Sequence, residues 1–303
     1  MITRPSARMR TLKAIAASTM PTDYANNKSV PAALGSFRCS GCLYDAARIA
    51  MHRSEYFVAR CVRCDLAHFL PRPQVEQEAH QLQDLGSYEL DMKRLRPGLD
   101  YHSMKLLHLL GRYCPPPGKL LEIGCATGLF LNDAHAAGYS VTGIEPAAGH
   151  RELIPSQIAS SVFLRKLEDV ELPDSTFDVI VAIQLIEHLL DPTVFAEQLK
   201  RVLKPGGIAY VETPNFDCVS RRLQVASWMK QNIFPGHWHL FNPRSMAAFC
   251  DRIGLRVVRR WTFFKALGIH SRSASLGRSM VALDYTLGRL GMGNNVAVLI
   301  TKN

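Results

Sequence analysis

From Lys119 onward, short apolar runs alternate with segments whose apolar residues recur every three or four positions. "KLLEIG" from Lys119, "SVTGIE" from Ser140, "VFL" from Val162, "FDVIVAI" from Phe177, "GGIAYVET" from Gly206, "LRVVRRW" from Leu255 and "NVAVLIT" from Asn295 read as seven strands. Helical spacing occupies residues 129–137, about 193–203 and about 243–253. A weak helix is broken by Pro155, and a further helical stretch precedes the last strand. This alternation predicts an α/β fold, a seven-stranded sheet with helices on both faces. In such sheets a ligand sits at the carboxyl ends of the strands.

The pattern upstream is different. "CSGC" (Cys39, Cys42) and "CVRC" (Cys61, Cys64) are separated by a segment ending in the strand-like "SEYFVAR", and "LAHFL" leads on to a stop at "PRP". Each C-x-x-C turn aims two thiolates at one point, and two such turns supply the four tetrahedral sulfur ligands that a structural Zn2+ prefers. So short a module, residues 36–73, has little apolar core, and the metal would contribute most of its folding energy. A redox dithiol or an iron–sulfur site is the alternative. Four matched ligands leave no open position for catalysis. Residues 74–116 turn from polar to apolar, with Leu106, Leu107, Leu109 and Leu110 at helical spacing, and read as a helical linker or lid that ends at "CPPPGK". The main domain is then residues 117–303. Residues 1–35 read as a disordered basic tail, in which Arg4, Arg8, Arg10 and Lys13 precede the first acid, Asp23; an organellar transit peptide is the other reading.

Composition narrows the class. With 303 residues, 47% of them hydrophobic and 20% charged, the chain has ample material for a core of its own. No apolar run approaches the ~20 residues that span a bilayer. Four of the eight cysteines are paired, and Cys114, Cys125, Cys218 and Cys250 are scattered singly, as suits a reducing compartment and a metal. The expected location is the cytoplasm.

The candidate chemistry centres on "LLEIGCATGLF", Leu120 to Phe130, a strand that enters a glycine-bracketed turn and leaves as a helix. A dinucleotide turn needs a glycine where Ala126 stands, so NAD is disfavoured, and the lysine and hydroxyl of a P-loop are missing. What the turn has is Glu122 before it and Glu145 at the end of the next strand. An acid at the second position can accept hydrogen bonds from both hydroxyls of a ribose, and two carboxylates suit a cationic cofactor. S-adenosylmethionine, with its sulfonium and ammonium and no phosphate, fits that description. Taken alone, the same glycines could serve only the positive φ of the turn.

The segments "LEIGCATG", "VTGIEP", "LPDSTFDVIVAIQLIEHLLDP", "RVLKPGGIAYVETPN" and "GHWHLFNPRSM" occur in this order. Together they resemble the successive motifs of the class I S-adenosylmethionine-dependent methyltransferases, especially the ubiquinone-biosynthesis-like branch, from about residue 119 to the C-terminus. The resemblance implies a Rossmann-like seven-stranded sheet preceded by a small zinc ribbon. It places Gly124, Cys125 and Gly128 around the methionine part of the cofactor, with Glu122 near its amino group, Glu145 on the ribose and Pro146 beside the adenine. Lys166 stands where the family often has Asp, so adenine recognition passes to Leu167 and Glu168. Gln184 is expected to face the methionine end.

Methyl transfer to a hydroxyl also needs one proton removed, which suits a histidine. His188 in "IEHLLDP" and the pair His237 and His239 in "PGHWHLF" are the candidates, with Trp228 and Trp238 as pocket walls. Glu187 and His188 could instead orient or cap the next helix. The H-x-H pair could bind a metal, although the sequence shows no nearby Asp, Glu or Cys to complete a set. Asn242 and Pro243 read as the N-cap and first position of the helix that follows.

The net charge is +10, and from residue 221 onward thirteen Lys and Arg face only Asp251 and Asp284. An anionic small-molecule or glycosyl acceptor, such as a nucleotide sugar or a lipid or polysaccharide precursor, fits this balance. A ribosomal or transfer RNA acceptor is the alternative, but the arginines of "LRVVRRW" fall within a strand rather than on one patch. A non-catalytic module that binds cofactor and docks a partner is a third reading.

Overall fold

A computed structural model of the chain describes residues 37–53, 56–70, 100–223, 236–264 and 286–302. The expected basic tail, residues 74–99 of the expected linker and Trp228 lie outside the described residues. In chain order the elements are β1 (Ala47–Arg53), β2 (Tyr56–Cys61) and β3 (Ala67–Leu70), then α1 (residues 100–111), β4 (Lys119–Ile123), α2 (Leu129–Ala136), β5 (Ser140–Ile144), β6 (Val162–Phe163) and β7 (Phe177–Ile183). They continue with α3 (Pro192–Val202), β8 (Leu203–Pro214), α4 (Val219–Leu223), β9 (His239–Leu240), α5 (Pro243–Ile253), β10 (Arg256–Phe263) and β11 (Asn295–Thr301).

All seven expected strands form one sheet in the order β10-β11-β8-β7-β4-β5-β6. The five strands from β8 to β6 are parallel, while β11 and β10 add antiparallel. Alternation along β7 builds the two cores. Val179 and Val181 pack with Leu106 and Leu110 of α1 and Leu131 of α2 on one face. Ile180 and Ala182 pack with Phe195 and Leu199 of α3 and Phe249 of α5 on the other. A strand buried on both faces must be apolar at every position, which is why "FDVIVAI" reads as a continuous run.

Helix ends follow local chemistry. Asp191 caps α3 by accepting from the Thr193 amide at 2.8 Å, with Pro192 at the first position. Asn242 caps α5 in a reciprocal box with Ser245, with Pro243 first and Gly254 (φ 69°) closing the far end. Since Asp191 caps α3, Glu187 and His188 do not.

The cysteine segment forms a second, antiparallel sheet, β1-β2-β3-β9. Its fourth strand comes from the main domain: Ala67 pairs with Leu240 and His68 with His239. Phe37, Ile49 and Leu66 also belong to the same buried cluster as Ile186, Phe241 and Met246. Through β9 and this shared core the small sheet packs directly on the main domain. Among the described residues no helix is long and apolar enough to cross a membrane.

Candidate active site

β4 ends at Ile123, and the chain reverses through Gly124 (φ 77°), Ala126 (φ 48°) and Gly128 (φ 72°) into α2. The amides of Gly124 and Cys125 both donate to the Ile144 carbonyl of β5, at 2.8 and 3.1 Å, which ties the turn to its neighbouring strand. A Cβ on Gly128 would come within 2.9 Å of Ile158 Cδ1, and one on Gly124 within 3.1 Å of Leu185 Cδ1. Both glycines therefore answer to sterics as well as to φ. The Cys125 side chain is buried in the core, where its Sγ would lie 2.9 Å from a Cβ at Gly143. Burial pushes that thiol well up, so only the backbone of Cys125 serves the turn.

Glu145 follows β5, and its carboxylate bridges the turn and the next loop. Oε2 accepts from the Ala126 amide and Oε1 from the Ala147 amide, both at 2.9 Å. Each oxygen keeps a second lone pair for a ribose hydroxyl. Glu122 is 4% exposed, and its Oε2 has no hydrogen-bond partner among the described residues. Burial raises its carboxyl well above the ordinary value, the backbone hydrogen bond at Leu131 opposes, and Glu145 and Asp133 add to the rise. A buried carboxyl of this kind suits a cation such as an ammonium. Pro146 is half-buried, Leu167 buried and Glu168 exposed on the short turn Leu167–Asp169.

Gln184 (φ 53°) lies at the end of β7, but its side chain does not face the glycine turn as expected. Its Nε2 donates to Glu212 Oε1 at 3.2 Å and Asn295 Oδ1 at 3.1 Å, along the sheet toward β8 and β11.

The three candidate histidines divide. His188 and His237 stand edge to face with ring centroids 4.5 Å apart, and the Gly236 carbonyl lies 3.1 Å from His188 Nδ1. Burial pushes His188 down to about 4, with that carbonyl opposing, so its imidazole is neutral at pH 7. Glu187, fully buried, accepts from Thr213 Oγ1 at 2.8 Å. Ligand atoms of Glu187, His188 and His237 fall within 4.8 Å of one another, a carboxylate-plus-two-imidazole set that the residues around the H-x-H pair do not show in sequence. His239 is elsewhere. It is 1% exposed, with Nδ1 3.2 Å from Ser40 Oγ, Nε2 3.4 Å from the Leu190 carbonyl and its ring against His68. This imidazole is held between the two sheets, apart from the His188 and His237 pair. Trp238 packs on Phe69, and its amide donates to the Glu187 carbonyl at 2.8 Å.

Cys39, Cys42, Cys61 and Cys64 converge with all four sulfurs within 4.8 Å, and the nearest pairs are 3.5 and 3.6 Å apart, well beyond a disulfide. Burial, ahead of the neighbouring thiols, raises Cys61 to about 11; the Cys39 contact and burial raise Cys64. Crowded thiols with no cation resist ionisation, and a divalent cation reverses that. His68 Nε2 lies 3.4 Å from Cys39 Sγ.

The model of a methyltransferase domain family matches residues 94–260, more than half of the chain. The chain belongs to this methyltransferase family. The "Ubiquinone biosynthesis O-methyltransferase" of Bradyrhizobium diazoefficiens (strain USDA 110) is 30% identical over 112 residues, 35% of this chain and 44% of that protein. The mitochondrial protein of that name from Homo sapiens is 31% identical over 156 residues, 46% of this chain and 42% of its own length. The methyltransferase chain thus spans about half the length of the curated relatives it matches. An S-adenosylmethionine-dependent methyltransferase from Archaeoglobus fulgidus superposes with a TM-score of 0.51 at 20% identity, over 71% of this chain and 99% of that one. One from Thermotoga maritima gives 0.53 at 18%, over 75% and 100%. These structures share the methyltransferase fold.

Sequence reasoning missed Glu187 as a partner of the histidines, Glu212 as the anchor of Gln184, and His68 beside the cysteines. A signal was present for two of them. Glu212 is a charged residue inside the apolar run "GGIAYVET", and His68 lies inside "LAHFL".

Proposed function

We propose that the chain transfers the methyl group of S-adenosylmethionine to a hydroxyl of a small-molecule acceptor. The observation that carries this is Glu145, whose carboxylate is fixed by two backbone amides across the glycine turn and beside the orphaned Glu122 oxygen. The residues fit the cofactor: Glu145 takes the ribose hydroxyls, Glu122 the ammonium, Gly124 and Gly128 the close backbone approach, and Pro146, Leu167 and Glu168 the adenine. Bound there, S-adenosylmethionine supplies an electrophilic methyl carbon on a sulfonium. The chain must align the acceptor and move one proton. His188 and His237, on the loops beyond β7 and before β9, form the acceptor wall with Trp238; His239 is withdrawn from that role into the small sheet.

The names of the curated relatives support a phenolic, quinone-precursor type of acceptor. The net charge of +10 supports an anionic one, such as a nucleotide sugar. Labelled methyl transfer to ortho-hydroxylated phenols, nucleotide sugars and RNA separates these, and transfer to RNA alone would overturn the small-molecule reading. The four cysteines are proposed to hold a structural Zn2+ within residues 36–73, joined through residues 74–116 to a catalytic domain of residues 117–303. A second reading gives Glu187, His188 and His237 a divalent cation that binds the acceptor oxygen, because their ligand atoms already converge. Metal analysis of wild type and His237→Ala distinguishes the two: one metal per chain in both supports zinc alone, and a second metal lost in the variant supports the pair.

A further inference from the structure

Another histidine–carboxylate pair stands at the carboxyl ends of the strands, apart from His188. Glu212, near the end of β8, is fully buried. Its Oε1 accepts from Gln184 Nε2, and its Oε2 accepts from the Tyr210 hydroxyl at 2.7 Å and lies 2.8 Å from His102 Nε2. His102 projects from α1 and stacks on Phe263 at the end of β10, with centroids 5.7 Å apart and planes 14° from parallel. The stack and the carboxylate hold the ring in two directions. Nε2 is sealed from solvent while 16% of the side chain remains exposed, so the ring opens to solvent away from Nε2. The 2.8 Å separation has hydrogen-bond length, but the N–H is not aligned on the carboxylate, a looseness ordinary for catalytic pairs before substrate binds. β8 lies two strands from β4, about 10 Å at normal strand spacing, with β7 and Gln184 between them.

We propose that His102 is the general base of the methyl transfer, oriented by Glu212 as a positioning residue; this rests on the methyl-transfer reading above. As the acceptor oxygen bonds to the methyl carbon, the carbon–sulfur bond breaks and its electron pair stays on sulfur, leaving S-adenosylhomocysteine. The hydroxyl proton passes to His102 Nδ1, the imidazolium is paired with Glu212, and the proton is then released to water. Gln184 and Tyr210 donate to the carboxylate and fix its orientation toward the ring. His188 is a poor competitor, since its Nδ1 already faces the Gly236 carbonyl at 3.1 Å.

The test uses the full chain, labelled S-adenosylmethionine, and catechol and 3,4-dihydroxybenzoate as probe acceptors. His102→Gln should lower kcat by roughly 10²- to 10⁴-fold, the ordinary contribution of a positioned base, with S-adenosylhomocysteine affinity kept. Added imidazole should restore part of the loss in His102→Ala. Turnover of His102→Gln equal to wild type would overturn the assignment. If wild type methylates neither probe, the phenol reading fails by itself, and nitrogen-15 NMR of His102 then decides the pair. A neutral ring with its proton on Nε2, redistributed in Glu212→Gln, supports the dyad; a proton fixed on Nδ1 in wild type refutes it.

Discussion

The glycine turn and the histidine wall sit at the same end of the same sheet, yet they are made in opposite ways. The turn draws on Glu122 to Gly128 and Glu145, and its hydrogen bonds join adjacent strands β4 and β5. The wall joins Glu187 and His188 to His237 and Trp238, and the next residue, His239, reaches His68 and the cysteine turns of a second sheet. A cofactor of constant shape can be held by a short, local motif. The wall proposed for the acceptor is assembled from distant segments, and its geometry should depend on whether the small sheet is in place.

Breaking the small sheet should produce the largest effect. Structural zinc contributes on the order of 10 kcal/mol to isolated zinc modules, so Cys61→Ser, or a chelator that strips the proposed zinc, should unfold β1 to β3 and release β9. Trp238 fluorescence should shift to the red and the melting temperature should fall. S-adenosylhomocysteine affinity should change far less, because none of the residues proposed for the cofactor lies on those strands.

On the cofactor side, Glu145→Ala removes an acceptor for two charged hydrogen bonds. At about 1.5 kcal/mol each, S-adenosylhomocysteine affinity should fall roughly 100-fold by calorimetry. Gly128→Ala places a Cβ at φ 72° and 2.9 Å from Ile158 Cδ1, and should cost about 1–3 kcal/mol in urea denaturation while sparing the small sheet.

The smallest effect is one of pH. The folded chain holds the Glu122 carboxyl above its ordinary value of 4.5, so above that pH the unfolded chain gives up a proton that the folded chain keeps. Folding stability should therefore decline as pH rises from 4.5 until the folded group ionises too. Glu122→Gln should remove this decline and bind S-adenosylmethionine more weakly, as denaturation and calorimetry between pH 4 and 7 would show.

The same contrast explains what could be read from the residues alone. All seven strands of the large sheet were legible, the central parallel ones because buried strands are continuous apolar runs, and the N-cap of α5 because Asn242 and Pro243 each carry a local conformational reason. Glu122 and Glu145 could be placed beside the turn from their spacing, and the Glu145 carboxylate does accept from the Ala126 amide within it. β1 was missed because "ARIAMHR" has no such run, and β9 because a two-residue strand has no period. His237 and His239 could not be told apart by sequence. Successive residues of a strand face opposite sides, but two positions apart share a face only inside a strand, and His237 precedes β9. Only the pairing of His239 with His68 separates them.

Calorimetric titration of the full chain with S-adenosylhomocysteine tests the central claim, that the turn and its two carboxylates form a methyl-donor site. One site per chain with micromolar affinity, weakened in Glu145→Ala, is the predicted result; no heat of binding to the folded wild-type chain would contradict it.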